Sequence, residues 1–239
     1  MMNRILFLHG GGLTGRQWTG AKALLAHAEV LAPDLPGHGA RTAQPLTLDG
    51  AVAVALGALA GQTAHVVGHS LGGTVARTLA ARHPELVTSL LLSGSIGPFT
   101  LGQARMMRWA AHVPVPPRLT LALSLRQFRV PPSERLWVQD ALRAALAPAW
   151  QDALIDTMVS APAPVPLPVR TLLLVGQQET WAARVGVRRL SQDMGRVTAL
   201  CVPGVGHVWN WEKPELFMRT VRAWVEEQAL PDELTPLPC

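Results

Sequence analysis

The pentapeptide Gly68-His69-Ser70-Leu71-Gly72 lies between a short apolar run, Ala64 to Val67, and a helix-like segment that starts at Leu71 and fades near His83. A chain that turns from strand to helix within one residue puts that residue under backbone strain, and only small neighbours let strand and helix come so close. Gly68, Gly72 and Gly73 are those neighbours. The turn leaves the Ser70 hydroxyl clear of the sheet at the N-terminus of the next helix, whose free N–H groups favour a developing oxyanion. The chemistry implied is nucleophilic attack by a serine.

A serine hydroxyl is a weak nucleophile until an imidazole can take its proton, and the imidazole needs an acid on its other nitrogen. In an α/β sheet both belong just past the C-terminal ends of later strands, on the edge that carries the serine turn. Of eight histidines, only His207, in Val202-Pro203-Gly204-Val205-Gly206-His207, combines a late loop, flanking glycines and a following helix start. His9 and His38 sit in glycine-rich loops, His69 adjoins the serine, and His27, His65, His83 and His112 lie on or beside regular elements. Glu179, in Gly176-Gln177-Gln178-Glu179 after an earlier strand, is the candidate acid and gives the chain order Ser, Glu, His. The alternative role for Glu179 is to cap the helix that starts near Trp181.

The first strand ends in His9-Gly10-Gly11-Gly12-Leu13, where backbone N–H groups can face a ligand unobstructed. The Gly11 N–H is one expected oxyanion donor and the Leu71 N–H, directly after the serine, is the other. Such a loop could also hold phosphate, but no Gly-Lys-Ser/Thr follows it. Gly10, Gly12 and Gly15 approach dinucleotide-type spacing, yet no acidic residue ends the second strand as a ribose partner, since Asp34 falls in a proline-bounded turn.

The elements that must position these residues alternate along the chain. Apolar runs of strand length occur at Arg4 to Leu8, Ala28 to Ala32, Ala64 to Val67, Val87 to Ser93, Arg170 to Val175 and Val197 to Val202. Most are apolar nearly throughout, as strands buried on both faces of a parallel sheet are. Helix-length segments separate them at Gly15 to His27, Leu46 to Leu59, Leu71 to His83, Trp181 to Met194 and Pro214 to Gln228. The fold class is therefore α/β, with a mostly parallel, doubly wound sheet. From 98 to 168 the strand signal vanishes, prolines cluster and the pieces between them look helical. This predicts a helical insertion into a core made of residues 1–97 and 169–239, its Pro-rich exit from Ala161 to Pro168 acting as a stiff connector.

Hydrophobic residues make up 49% of the chain and charged ones 15%, which fits a large buried core and excludes a disordered chain. The formal charge of +5 comes from scattered arginines, with Lys22 and Lys213 the only lysines, and there is no tyrosine for base stacking. Nucleic acid is thus not an expected partner. No apolar stretch reaches the roughly 18 residues of a membrane span, and the N-terminal apolar run is too short for a signal peptide. These features predict a soluble, cytoplasmic protein. Two cysteines, Cys201 in a strand-like run and Cys239 at the end, are too few to build the fold with disulfides.

Together, His9-Gly10, Asp34-Leu35-Pro36-Gly37-His38-Gly39, Gly68-His69-Ser70-Leu71-Gly72-Gly73, and Gly206-His207 followed by Glu212-Lys213-Pro214-Glu215 resemble the ordered signposts of the α/β-hydrolase superfamily. The resemblance spans nearly the whole chain. It implies that the insertion is a helical cap and that Ser70, His207 and an acid form a triad beneath it. Members often carry Asp where this chain has Glu179. Ser70 argues against the dehalogenase branch, which uses an aspartate nucleophile, and Thr74 stands where the branch making a menaquinone precursor often has arginine. No cofactor or metal is expected, and the expected partner is a small-molecule ester or related acyl substrate, but the fold alone does not name that substrate.

The expected function is a serine carboxylesterase for small to medium apolar acyl esters. A carbon–carbon bond or lactone hydrolase with the same triad is the alternative, and a non-catalytic sensor on the same fold is a reading of another class. Trp109, Trp137 and Trp209 are candidates to line the substrate pocket, against the alternative that they pack as core. The insertion carries seven arginines against Glu134, Asp140, Asp152 and Asp156, so an anionic substrate and a solvated basic surface both remain open.

Overall fold

Each apolar run forms a strand in the computed structural model, which describes residues 3–25, 27–195 and 197–237. The strands are β1 (Asn3–Leu8), β2 (Ala28–Leu31), β3 (Ala64–His69), β4 (Val87–Ser93), β5 (Arg170–Gly176) and β6 (Val197–Val202). They pair in parallel in the order β2-β1-β3-β4-β5-β6. A two-residue strand, β7 (Thr235–Pro236), pairs antiparallel with β6 at the edge. It is too short to leave a periodic signal, and the sequence did not suggest it.

The central strands are apolar nearly throughout because both faces are covered. Along β1, Ile5 and Phe7 pack into one cluster with Trp18 and Phe217, while Leu6 and Leu8 pack into another with Val75 and Leu79. All of these side chains are buried, and full burial of each stabilises the fold by about 1.5–3 kcal/mol. One face is covered by α2 (Leu48–Leu59), α3 (Leu71–Arg82) and α8 (Trp181–Met194). The other is covered by α1 (Thr19–Leu24) and α10 (Pro214–Val225). Helix starts follow local chemistry: the Thr47 and Thr180 hydroxyls accept backbone N–H bonds at the starts of α2 and α8, and Pro214 opens α10, where a missing N–H costs nothing. Cys201 is fully buried in β6, and Cys239 lies outside the described residues.

Between β4 and β5 the chain makes four helices, α4 (Leu101–His112), α5 (Pro117–Gln127), α6 (Arg135–Ala145) and α7 (Pro148–Val159). Since β4 and β5 are neighbours, the insertion leaves the sheet order undisturbed. Two of the clustered prolines, Pro117 and Pro148, start helices α5 and α7. The insert is fastened to the sheet by a third apolar cluster, in which Trp137, Val138 and Leu142 meet Leu13 and Val208 from two loops of the core.

The sheet order reverses direction at β1, whose neighbours are β2 and β3. Loops leaving β1 and β3 therefore diverge to opposite faces and open a crevice at the strands' C-terminal ends, where ligands of open α/β sheets bind. Ser70 follows β3 and the glycine-rich loop follows β1, so both stand at that crevice. No helix among the described residues is long and apolar enough to cross a membrane.

Candidate active site

Ser70 sits between β3 and α3 with φ 52° and ψ −116°, a left-handed backbone for a residue with a side chain. The three glycines around it permit this turn, as the space about them shows. A Cβ on Gly68 would lie 2.6 Å from the Gly73 Cα, one on Gly72 would lie 2.2 Å from the Leu8 carbonyl oxygen, and one on Gly73 would lie 2.5 Å from the Ser95 Cβ. Helix α3 thus lies directly against the backbone of β1 and β3, and its N-terminus faces the crevice.

The two expected oxyanion donors are free to act. In the first loop, the Gly10 N–H donates to Gln17 Oε1 at 3.1 Å and the Gly12 N–H donates to His38 Nε2 at 3.1 Å. Between them, the Gly11 N–H has no acceptor among the described residues, and neither has the Leu71 N–H at the first position of α3. The dinucleotide-like spacing of Gly10, Gly12 and Gly15 has a structural cause instead: a Cβ on Gly15 would lie 2.2 Å from the Ala32 carbonyl oxygen. Asp34 staples this region by accepting from the Gly15 N–H at 2.7 Å and the Ala40 N–H at 2.8 Å.

Past β5, Glu179 turns inward rather than capping α8, a role that Thr180 takes. Its carboxylate is buried; Oε1 accepts from the Gly176 N–H at 3.2 Å and Oε2 lies 2.7 Å from His207 Nδ1. The carboxylate fixes the proton on Nδ1 and leaves Nε2 as the basic nitrogen. Gly94, at the end of β4, is shaped around this pair. With φ +58°, its missing Cβ would lie 2.9 Å from His207 Cε1 and 3.2 Å from Glu179 Oε1.

His69, Gln17 and Asn210 form a buried support beneath His207. His69 Nε2 lies 2.9 Å from the His207 carbonyl, which can only accept, so Nε2 carries the proton and Nδ1 accepts from Gln17 Nε2 at 3.1 Å. Gln17 Nε2 also donates to Asn210 Oδ1 at 3.2 Å. Burial, and next the charge of His207, holds the His69 pKa well below the usual imidazole value. Burial likewise lowers His38 and brings His9 to about 3. All three rings are thus neutral at pH 7, and His9 and His38 use Nε2 to accept the Leu35 and Gly12 N–H groups. Buried glutamine and asparagine leave no recognisable motif, so the sequence alone did not single out Gln17 or Asn210.

Ser70, His207, Glu179, Gly11 and Leu71 all line one cavity of about 870 Å³. Its walls include Leu13 and Ile96 from the core and Phe99, Met107, Leu123, Phe128, Leu154 and Met158 from the insert, with Arg126, Arg129 and Gln178 as polar members.

None of the three tryptophans expected at the pocket lines it. Trp109 is 73% exposed on the outer side of α4. Trp137 packs edge-on to Trp211 and donates from Nε1 to Glu134 Oε2 at 2.6 Å. Trp209, in the short helix α9 (Trp209–Glu212), points into the core, where its indole N–H finds Ser93 Oγ at 2.8 Å. Trp150 does not line the cavity either, but it packs against the glycine-rich loops. It donates to the Gly37 carbonyl at 3.0 Å, and its ring edge would lie 3.5 Å from a Cβ on Gly11. Among the described residues no group of His, Cys, Asp and Glu is arranged to hold a metal ion.

A family model described as the alpha/beta hydrolase family matches residues 5–220. A 2-hydroxymuconate semialdehyde hydrolase of Pseudomonas putida is 27% identical over 248 residues, covering 93% of this chain and 86% of that protein. A pimeloyl-acyl-carrier-protein methyl ester esterase of Chromobacterium violaceum is 46% identical, but over 89 residues, 37% of this chain and 35% of that protein. Among solved structures, a thermophilic esterase of Thermogutta terrifontis superposes with a TM-score of 0.79 at 21% identity, covering 94% of this chain and 90% of that one.

Proposed function

Because this chain belongs to the alpha/beta hydrolase family, we propose that it is a serine hydrolase, acting as a carboxylesterase on small to medium apolar acyl esters. Ser70 Oγ attacks the ester carbonyl while His207 Nε2 takes its proton. The oxyanion is held by the Gly11 and Leu71 N–H groups, and Glu179 stabilises the imidazolium through Nδ1. Collapse of the tetrahedral intermediate breaks the ester C–O bond, and His207 returns the proton to the departing alcohol. Water, deprotonated by His207, then attacks the acyl-enzyme, releasing the acid and restoring Ser70. Residues 98–168 act as a cap over a core of 1–97 and 169–239.

The observation that carries this reading is the 2.7 Å bond between His207 Nδ1 and Glu179 Oε2 in the cavity that Ser70 lines. It favours catalysis over a non-catalytic sensor, because a buried carboxylate on that nitrogen orients the ring with Nε2 free to accept a proton. The apolar walls support an acyl chain as substrate. A second reading, carbon–carbon bond or lactone hydrolysis with the same groups, is supported by the relative that matches 93% of the chain.

The test is labelling by a fluorophosphonate together with turnover of p-nitrophenyl esters. Parent protein should be labelled at Ser70, and Ser70→Ala should lose at least about 10³-fold in turnover while keeping its melting profile. Equal rates in mutant and parent would end the proposal. Faster turnover of a lactone or a vinylogous diketone than of simple esters would favour the second reading.

A further inference from the structure

Four non-glycine residues among those described have positive φ, and two of them, Ser70 and Arg129, line the same cavity. Ser70 has its turn to explain it. Arg129 lies in the insert just past α5, with φ 49°, in the region that favours glycine. A strained backbone that carries a long side chain calls for a role for that side chain.

Its guanidinium forks across two loops of the core. Nη1 donates to Glu212 Oε2 at 2.6 Å, and Nη2 donates to Gln178 Oε1. Gln178 immediately precedes the acid Glu179, and its own N–H donates to the Val205 carbonyl of the base loop at 2.8 Å. Glu212 uses its other oxygen, Oε1, to accept the Gly206 N–H at 2.7 Å, one residue before the base. One side chain of the insert therefore reaches the residue before the acid directly and the residue before the base through a single carboxylate.

We propose that Arg129 is a positioning residue, a clasp by which the helical insert holds the acid loop and the base loop in register. The inference rests on the serine-hydrolase reading for its effect on rate, and on contacts alone for its effect on the loops. The planar guanidinium serves both acceptors at once, which the single point charge of lysine does less well. Stability is not what the clasp provides: the Arg129 side chain is 42% exposed, and exposed ion pairs contribute little. Geometry is, because reacting groups displaced by about 1 Å lose on the order of 10²-fold in rate.

Arg129→Gly is the informative variant, since glycine is at ease at this φ and the fold should be retained. Arg129→Asn, also tolerant of the left-handed region, guards against an effect peculiar to glycine. Hydrogen exchange should quicken in peptides covering 176–180 and 203–212, including the Gly206 amide. With a small neutral p-nitrophenyl ester, kcat should fall about 10- to 100-fold while KM moves less than about twofold, and Arg129→Lys should recover part of the loss. Parental exchange in both loops would overturn the clasp, as would a rise in KM with kcat unchanged, which marks a mere pocket wall. An inactive parent would count against the serine-hydrolase reading alone, because the exchange measurement decides the clasp without turnover.

Discussion

Gly94→Ala tests whether the His207–Glu179 pair is held as tightly as its surroundings imply. The added methyl would lie 2.9 Å from His207 Cε1, 3.0 Å from Nδ1 and 3.2 Å from Glu179 Oε1. Carbon atoms are comfortable at about 3.5 Å, so the ring must retreat by about 0.6 Å. It cannot do so freely: His69 holds the His207 carbonyl at 2.9 Å and Glu179 holds Nδ1 at 2.7 Å. Two penalties follow. Alanine at φ +58° costs about 1–2 kcal/mol in backbone strain, and the overpacking adds about 1–3 kcal/mol. For a chain of this length, about 1 kcal/mol corresponds to about 2–4 °C, so the melting temperature should fall by about 4–20 °C. The ring shift should lower kcat for a p-nitrophenyl ester by about 10- to 100-fold, measured well below the new melting temperature. Gly61→Ala separates the two causes: its φ is +75° with nothing within 4 Å of the added methyl. It should show the strain in a thermal melt and parental kcat. A Gly94→Ala protein with parental kcat would refute the claim that Gly94 is shaped around a working pair.

Replacing Glu179 by Gln keeps its shape but removes the charge that stabilises the imidazolium, so kcat should fall by about 10³- to 10⁴-fold; near-parental turnover would remove Glu179 from the mechanism. Arg77 is 2% exposed in α3, its Nε and Nη2 have no hydrogen-bond partner among the described residues, and desolvation lowers its pKa. Arg77→Met should therefore stabilise by about 1–3 kcal/mol, read as a higher melting temperature, and a lower one would mean that the guanidinium is better satisfied than its contacts indicate. His9 has a folded pKa of about 3 against 6.5 unfolded, so below pH 6.5 the unfolded chain binds the proton that the folded one refuses. Its contribution is complete above pH 6.5 and declines as pH falls towards 3, by about 2 kcal/mol between pH 6.5 and 5, with His38 and His69 acting in the same direction. Urea unfolding at both pH values measures this, and equal free energies would refute it.

What was legible in the sequence came from rules that act over a few residues. The Ser70 turn shows because three glycines must flank it, and the parallel strands show because burial on both faces forces nearly unbroken apolar runs. The late position of His207 follows from the sheet rule that places functional groups past strand ends. Contacts across the fold had no such signature. Gln17 meets Asn210 from 193 positions away, and Arg129 meets Glu212 from 83. The tryptophans misled for a related reason. Helical spacing tells that Trp109 and Trp137 share a face with other apolar residues, but not whether that face meets the cavity, the core or solvent. Trp209 sits two residues after His207, yet its ring packs into the core against Phe217. Trp150 meets Gly37 from 113 positions away, a matter of packing between distant segments.

The span of the buried support has a consequence for when the candidate site is complete. His69 and the carbonyl of His207 are 138 positions apart, and Gln17 and Asn210 are 193 apart. On a chain emerging from the ribosome, the serine turn and the glycine-rich loop are complete long before the base exists. The turn then carries its strain with no imidazole to activate it. Closing loops of that length is entropically costly and depends on the last parallel strand docking against its neighbour. A complete site is thus confined to chains whose C-terminal third has joined the sheet. On refolding from urea, labelling of Ser70 by a fluorophosphonate should return only after the bulk of secondary structure has formed.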